Sequence, residues 1–325
     1  MLNKLIIIRS LGVLLVLDGM CILTALPVSM VSGDGDLSAL LLSSGITIFT
    51  GIAGVLFGRT NNTSIGKREG YLIVTLSWII FSLFGSLPFI LNGSIPSYTD
   101  AFFETMSGFT TTGASILSDV ESMPHGLLYW RSMTQWLGGM GIIVLSLAIL
   151  PVFKIGNMQL FIAEVPGPTP DKLHPKIKET AKRLWAIYAA FTLAEIILLR
   201  IGGMDIFDSV CHSFTTMATG GYSTRNASIA AWSTPYIHYI ITIFMFAAGT
   251  NFTLAYFGLH GKFRKIIKNE EFLFYLIMVL ASIMIVSGVL ALSNGVPFEK
   301  AFRDSAFQVV SIITTTGFVT ADYSL

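Results

Sequence analysis

The sequence predicts an all-α integral membrane protein built around an internal repeat. Only 12% of the 325 residues are charged and the mean hydropathy is +0.72, whereas soluble domains carry about 25% charged residues. Apolar runs near the ~20 residues that cross a bilayer core recur along the chain. The third observation is a stretch of sixteen residues that occurs three times, which also makes it the candidate functional site.

The repeated stretch begins with an aspartate and reaches a glycine thirteen residues later. Its copies cover 100–115, 208–223 and 304–319 and align without a gap. Threonine, alanine or glycine residues precede each glycine. One Thr-Thr-Gly alone is a common turn, but three copies in equivalent surroundings favour a functional motif.

Seven apolar runs predict full transmembrane helices, at 5–27, 38–58, 71–91, 129–153, 183–203, 237–259 and 272–293. Three shorter segments lie between them, at 98–110, 206–218 and 302–314. A helix of this length spans about 20 Å, so we expect re-entrant or buried helices there. The first run resembles a signal peptide, but it continues past Asp18 to Pro27 without a small-x-small cleavage site. We therefore expect a retained helix.

Lysine and arginine predict the orientation. Fifteen of the 20 basic residues lie at the N-terminal end or in the loops 59–70, 154–183 and 260–271. Alternating spans put these segments on one side, which the positive-inside rule makes cytoplasmic. The N-terminus is then cytoplasmic and the three short segments face outward. The acidic loop 31–37 agrees, and the glycosylation pattern at 61–63 would lie inside, unmodified.

Four domains follow from this order. They are a two-helix N-terminal membrane domain (1–66), a first repeat (67–171), a second repeat (172–268) and an incomplete third repeat (269–325). The offset of 108 residues between the first two motifs also relates Gly141 to Gly249. The proline-rich loop 164–176 is expected to be a connector with little regular structure.

The motif suits a cation filter made of main-chain oxygens. Non-helical backbone at membrane depth is tolerated only where protein buries it or it lines a wet cavity, and glycine permits unusual conformations and close approach. Successive carbonyls can replace the water shell of an alkali cation, while the short helix directs its partially negative C-terminal end at the ion. The aspartates Asp100, Asp208 and Asp304 are expected in the first helical turn, where a carboxylate is favoured.

The predicted ion-binding residues act mainly through their backbone carbonyls. They are Thr111, Thr112, Gly113, Thr219, Gly220, Gly221, Thr315, Thr316 and Gly317.

Three polar residues occupy equivalent positions four residues after each aspartate: Glu104, His212 and Gln308. They are expected either to form a polar layer that holds the filter by hydrogen bonds or to have unrelated local partners. Asp18 and Glu195 fall inside predicted spans, where ionisable residues are functional candidates; the alternative is pairing with a neighbouring helix.

Gly138, Gly139 and Gly141 are expected to allow a close helix contact, with a hinge as the alternative.

The order span, pore helix, filter, span, repeated in one polypeptide, resembles the Trk/Ktr/HKT superfamily of potassium transporters. The sequences TTTGAS (110–115), WLGGMGIIVLSLAILP (136–151), TTMATGGYST (215–224) and TTTGF (314–318) resemble its TrkH-type subunits in particular. The resemblance implies K⁺ uptake through the inner membrane by a pseudo-fourfold pore with no other cofactor. It also implies a homodimer and a cytoplasmic TrkA-type nucleotide-binding ring that gates the pore.

This chain carries three filter motifs where the resemblance implies four. We therefore expect a fragment of a longer protein, which by itself should not conduct selectively. Potassium-selective single-channel currents from the 325-residue chain would contradict this expectation.

Two other functions compete with a channel-like pore. An alternating-access symporter, coupling K⁺ to H⁺ or Na⁺, would also use repeats and broken helices, but those repeats are often inverted. Here successive repeats share one orientation. The spans show no nucleophile–base pair, HExxH motif or paired catalytic carboxylates, which disfavours an enzyme. A net charge of +1 gives no indication of nucleic acid binding, and Cys21 and Cys211 suggest no disulfide.

Overall fold

The computed structural model describes residues 2–60, 65–141, 177–294 and 297–321. These residues form α-helices joined by loops, with one short 3₁₀ helix at Ser228–Ala231. The chain divides into two compact units, Met1–Trp185 and Ala186–Leu325. The four domain boundaries expected from the sequence stay a prediction.

The first unit opens with two helical spans packed on each other. Helices α1 (Lys4–Leu23) and α2 (Leu26–Ser32) make up the first span, and α3 (Leu37–Phe57) is the second. Glycines bring α1 and α3 together, because a Cβ atom on Gly12 would lie 2.6 Å from the Gly51 carbonyl oxygen. Such close backbone approach is a common basis of helix association in membranes.

The first repeat follows as α4 (Lys67–Gly85), α5 (Leu87–Asn92), the short helix α6 (Tyr98–Phe109) and α7 (His125–Gly139). Helix α6 packs against α4, α5 and α7. Gly138 of α7 lies against the end of α6, since a Cβ there would be 2.0 Å from the Phe109 carbonyl oxygen. The expected close contact at Gly138 is therefore present.

Two aspartates of the loop between α2 and α3 cap α7. The Asp34 carboxylate accepts from the His125 backbone N–H at 2.9 Å, and the buried Asp36 carboxylate accepts from Leu127 N–H at 3.1 Å. Asp36 also accepts from the Ser29 hydroxyl. Pro124 at the cap position contributes no side-chain bond. These carboxylates therefore act as acceptors for the free N–H groups of the first turn, and their negative charge is favourable at the positive end of the helix dipole.

The second unit contains most of α8 (Ile177–Ile201), the short helix α9 (Ile206–Met217), α10 (Pro235–Ala248) and α11 (Phe252–Leu259). The continuous span expected at 237–259 is wrong, because α10 and α11 meet at an angle of 106°. Asn251 accounts for the break, since its side chain caps α11 by accepting from Thr253 N–H at 2.9 Å.

The remaining helices are α12 (Phe263–Ile267), α13 (Glu270–Asn294) and the short helix α14 (Phe298–Ile313). Helix α14 packs against α13 and α10. The apolar core of this unit includes Ile229, Ile237, Phe307 and Phe318, all almost completely buried.

The chain is a multi-pass membrane protein. Within the described residues, five helical segments are long and apolar enough to cross a membrane, and the bent α10–α11 pair is a sixth candidate. The expected span 129–153 starts as α7, but its residues from 142 onward lie outside the described ranges, as do the proline-rich loop 164–176 and the pattern at 61–63.

We predict that Asp36→Ala lowers the free energy of unfolding by about 1–3 kcal/mol, because it leaves the Ser29 hydroxyl and the Leu127 N–H buried without an acceptor. SDS-induced unfolding of the detergent-solubilised chain measures this. Asp34→Ala is the matched control and should cost less, because this carboxylate is partly exposed.

The contribution of Asp34 should also depend on pH. Hydrogen bonds from the His125 backbone and ring hold the pKa of Asp34 below its usual value. Its contribution is therefore present at neutral pH and lost as the pH falls through the folded-state pKa. A difference between wild type and Asp34→Ala that grew on acidification would contradict the assignment.

Candidate functional site

The three short helices α6, α9 and α14 each end in a four-residue segment, called here a glycine loop: 110–113, 218–221 and 314–317. In each loop the second residue is a threonine with positive φ and the fourth is a glycine with positive φ. The threonine values are 54° (Thr111), 51° (Thr219) and 58° (Thr315), and the glycine values are 76° (Gly113), 75° (Gly221) and 81° (Gly317). The sequence repeat is therefore also a backbone repeat.

The same two hydrogen bonds close each helix. In the first repeat, Thr111 N–H donates to Gly108 O and Thr112 N–H donates to Ser107 O, both at 2.9 Å. The equivalent bonds at the ends of α9 and α14 measure 2.9–3.0 Å. This closure usually has glycine in the left-handed position. A β-branched residue there is an outlier that costs about 1–3 kcal/mol, and it persists only where the surroundings impose it.

Hydroxyl pairs brace the first and third loops. Thr110 Oγ1 lies 2.8 Å from Thr112 Oγ1, and Thr314 Oγ1 lies 2.8 Å from Thr316 Oγ1. The second loop has Ala218 and Gly220 at these positions and so lacks the pair. The loops therefore share a backbone path without sharing all of their side-chain bonds.

Main-chain oxygens in the loops are available for a ligand. Among the described residues, no donor reaches the carbonyl oxygens of Thr112, Gly113, Gly221, Thr316 or Gly317. Thr316 is buried, Gly113 and Gly221 are partly exposed, and Thr112 and Gly317 are exposed, so most of these oxygens can be reached by a ligand. These oxygens are hard ligands of the kind that alkali cations accept.

The structure brings the second and third loops together. A Cβ on Gly221 would lie 1.8 Å from the Thr316 carbonyl oxygen. Only glycine allows this approach. The first loop, with Gly113, belongs to the other compact unit.

A buried ion pair supports the first loop. Glu104, on α6, accepts from Ser115 Oγ and from Ile116 N–H, each at 2.9 Å. Arg131, on α7, donates to the same carboxylate at 2.8 Å, and both side chains are almost fully buried. The sequence reasoning missed Arg131, although a basic residue inside a predicted span is a signal for a buried partner.

The second loop has an equivalent support built from different residues. His212 occupies the position of Glu104, and its Nε2 lies 3.0 Å from Ser223 Oγ, the counterpart of Ser115. Its Nδ1 lies 2.8 Å from Asp208 O. The polar layer expected behind the loops is therefore present in two repeats. For the third repeat the expectation of a polar layer is wrong, because the buried Gln308 Oε1 has no partner among the described residues.

The aspartates that open the motifs differ in position. Asp100 and Asp208 lie in the first turns of α6 and α9, as expected. Asp304 does not, because α14 starts at Phe298, and Asp304 instead lies 3.6 Å from Arg303 Nε.

Two further intramembrane carboxylates, Asp18 and Glu195, are fully buried, and Asp18 lacks a hydrogen-bond partner within the described part of the chain. In the same residues, no group of three potential metal-ligating His, Cys, Asp or Glu side chains occurs.

Comparison with known proteins gives consistent matches. Residues 42–325 match the TrkH family, described as a cation transport protein. The chain is 39% identical to the Trk system potassium uptake protein TrkH of Halomonas elongata, covering 98% of this chain and 67% of that protein. It is 41% identical to the protein of the same name in Escherichia coli K12, covering 97% and 66%.

A solved structure agrees. The crystal structure of the potassium transporter TrkH from Vibrio parahaemolyticus superposes with a TM-score of 0.85 at 35% identity, covering 98% of this chain and 66% of that one. The chain thus spans about two thirds of the length of these relatives.

We predict a graded cost for alanine at three glycines. Gly317→Ala should cost about 1–2 kcal/mol, because its φ is positive but nothing lies near the new Cβ. Gly221→Ala should cost about 1–3 kcal/mol more, from overlap with the Thr316 carbonyl. Gly288→Ala, in open space on α13, is the control and should cost nothing. SDS-induced unfolding measures all three, and equal losses at Gly221 and Gly317 would exclude the close approach.

A second prediction concerns the buried ion pair. Arg131→Tyr leaves the Glu104 carboxylate uncompensated and should cost about 3–5 kcal/mol. Adding Glu104→His reproduces the second repeat, which has His212 and Tyr239 at these positions, and should recover part of the loss. A double variant no more stable than Arg131→Tyr alone would mean that the two supports are not interchangeable.

Proposed function

The chain belongs to the TrkH family of cation transport proteins, and we propose that it contributes the pore of a potassium uptake system in the inner membrane. Membership places it among transporters and not among enzymes. The observation that carries the proposal is the glycine loop itself, which occurs three times with one backbone conformation and unpaired main-chain oxygens.

In this proposal the glycine loops form a K⁺ filter. The ligands are backbone carbonyls of the nine residues predicted from the sequence, from Thr111–Gly113, Thr219–Gly221 and Thr315–Gly317. A ring of carbonyls can replace the hydration shell of K⁺. The contact between Gly221 and Thr316 supports a shared site for the second and third loops. The first loop is included in the proposal because it has the equivalent sequence and φ values.

The electrostatics of the loops suit a cation. Each loop follows the C-terminus of a short helix, which carries the equivalent of about half a negative charge. No carboxylate belongs to the loops themselves, so the ligand field is one of dipoles and not of fixed charge. Such a field favours a weakly hydrated monovalent ion over a divalent one. The strained threonines hold the oxygens in place before the ion arrives, which lowers the cost of ordering them.

The bent α10–α11 pair keeps one alternative open. A break of 106° in the middle of a span is a feature of alternating-access carriers as well as of channels. A cation symporter that couples K⁺ to H⁺ or Na⁺ would use this break as a moving part. Rubidium uptake that saturates at a low rate and depends on a H⁺ or Na⁺ gradient would favour the carrier.

The basic loops indicate the orientation of the chain in the membrane and the face on which a cytoplasmic partner would bind. Arg59 and Arg68 lie in the loop 59–70, and Lys262, Arg264 and Lys268 lie in the loop 260–271. The positive-inside rule makes this face and the N-terminus cytoplasmic. We propose that this face meets a TrkA-type nucleotide-binding ring and that the subunit works as a homodimer, as the family resemblance implies.

We predict that K⁺ and Rb⁺ raise the apparent melting temperature of the purified chain in detergent more than Na⁺ and Li⁺ do at equal concentration. This prediction concerns binding to the loops that are present, and not selective conduction by three loops alone. A ligand at a hundred times its dissociation constant stabilises the native state by about 2.7 kcal/mol. Choline chloride gives the baseline. Gly113→Ser should reduce the difference between K⁺ and Na⁺, whereas the remote Gly288→Ala should not.

Two results would overturn the proposal. One is equal stabilisation of the wild-type chain by all four alkali ions. The other is an unchanged preference for K⁺ in Gly113→Ser at wild-type levels of folded protein.

A further inference from the structure

The third glycine loop lacks the side-chain support that the other two have. In the first two repeats a polar residue of the short helix holds the serine two positions after the glycine. The third repeat has Val319 at that position, which offers no hydroxyl group, and Gln308 Oε1 makes no hydrogen bond to any described residue. Something else must therefore fix the chain as it leaves this loop.

A turn of the second repeat contacts Val319 through its backbone. The Ala230 N–H donates to Val319 O at 3.1 Å, and it is shared with Ala227 O at 3.2 Å. The Val319 N–H donates to Ser228 Oγ at 3.4 Å. Both main-chain groups of Val319 thus have their partners in the turn Ser228–Ala231.

The backbone of this turn is strained. Ser228 has φ of 52°. Among the described residues, the other non-glycine positions with positive φ are the three threonines of the glycine loops. A strained residue persists only where surrounding contacts over-determine it, and such residues concentrate at functional sites.

Buried side chains anchor the turn and the loop in the same core. Ile229 of the turn and Phe318 next to Val319 are both completely buried in one apolar cluster. Phe318 also has its carbonyl oxygen held by Ser311 Oγ of α14 at 2.7 Å. The polar contacts at Val319 therefore join two segments that the core already fixes.

We propose that the turn Ser228–Ala231 is a clasp that positions the third glycine loop against the second, so that ion selection depends on Ser228. In this role Ser228 is a positioning residue, since it acts through Val319 on the carbonyls of Thr316 and Gly317. The inference rests on the proposed function, because selectivity is its readout. It assigns to the second repeat the support that the side chain of Gln308 does not provide.

The test compares four variants in the alkali-ion thermal-shift assay. Ser228→Ala removes the acceptor for Val319 N–H and should lower the affinity ratio of K⁺ to Na⁺ by up to about tenfold, the limit reached if the whole contribution of one hydrogen bond is lost from K⁺ binding alone. Ser228→Asn keeps an acceptor and tolerates the left-handed backbone, so it should retain more of the preference. Ser233→Ala, five residues away and exposed, is the matched control and should behave as wild type.

The fourth variant is a rescue. Ser228→Ala combined with Gln308→His and Val319→Ser introduces into the third repeat the His212–Ser223 support of the second. Recovery of the K⁺ preference would show that positioning, and not general stability, was lost. SDS-induced unfolding of each variant provides the fold control.

The outcomes separate this inference from the proposed function. If the wild-type chain shows no K⁺ preference, the filter proposal itself fails. If the wild-type chain prefers K⁺ and Ser228→Ala keeps that preference unchanged, the filter stands and the clasp is wrong. A loss of preference in Ser228→Ala that the rescue restores supports both.

Discussion

An unpaired main-chain carbonyl inside a membrane protein is the constraint on which this structure depends. Lipid offers no hydrogen bonds, so non-helical backbone at membrane depth needs protein, water or an ion as its partner. The chain ends three short helices with a strained threonine, and among the described residues no donor reaches the carbonyls of Thr112, Gly113, Gly221, Thr316 and Gly317. A bound cation would supply the missing partner, and this links the cost of the fold to a transport function.

The same backbone is held by different chemistry in each repeat. A buried Glu104–Arg131 pair supports the first loop, the imidazole of His212 supports the second, and a turn of the preceding repeat contacts the third. What the repeats share is the path of the main chain, because the carbonyl positions are what a filter requires. The side chains behind them are free to differ as long as each loop stays fixed.

Sequence patterns predicted the short helices well, because their apolar lengths and the motif spacing are local properties. Helices α6 and α9 start where the apolar segments start. The break at Gly249 was missed because residues 249–251 carry no charge and the hydropathy of the span continues across them. Arg131 was missed because its partner, Glu104, is 27 residues away, and pairing at that distance has no local pattern. Asp304 was misplaced because α14 extends four residues further back than its apolar segment.

A series of contacts connects the N-terminal helix pair to the first glycine loop. Glycine contacts join α1 to α3, and the loop between α2 and α3 places Asp36 on the first turn of α7. Helix α7 then carries Arg131 to the buried carboxylate of Glu104, which holds Ser115 directly after the loop. After the glycine contact, each step is a buried or helix-terminal polar contact, so a shift of the N-terminal helix pair would reach the carbonyls through α7. The two helices that precede the repeats thereby help to set the geometry in which an ion would be selected.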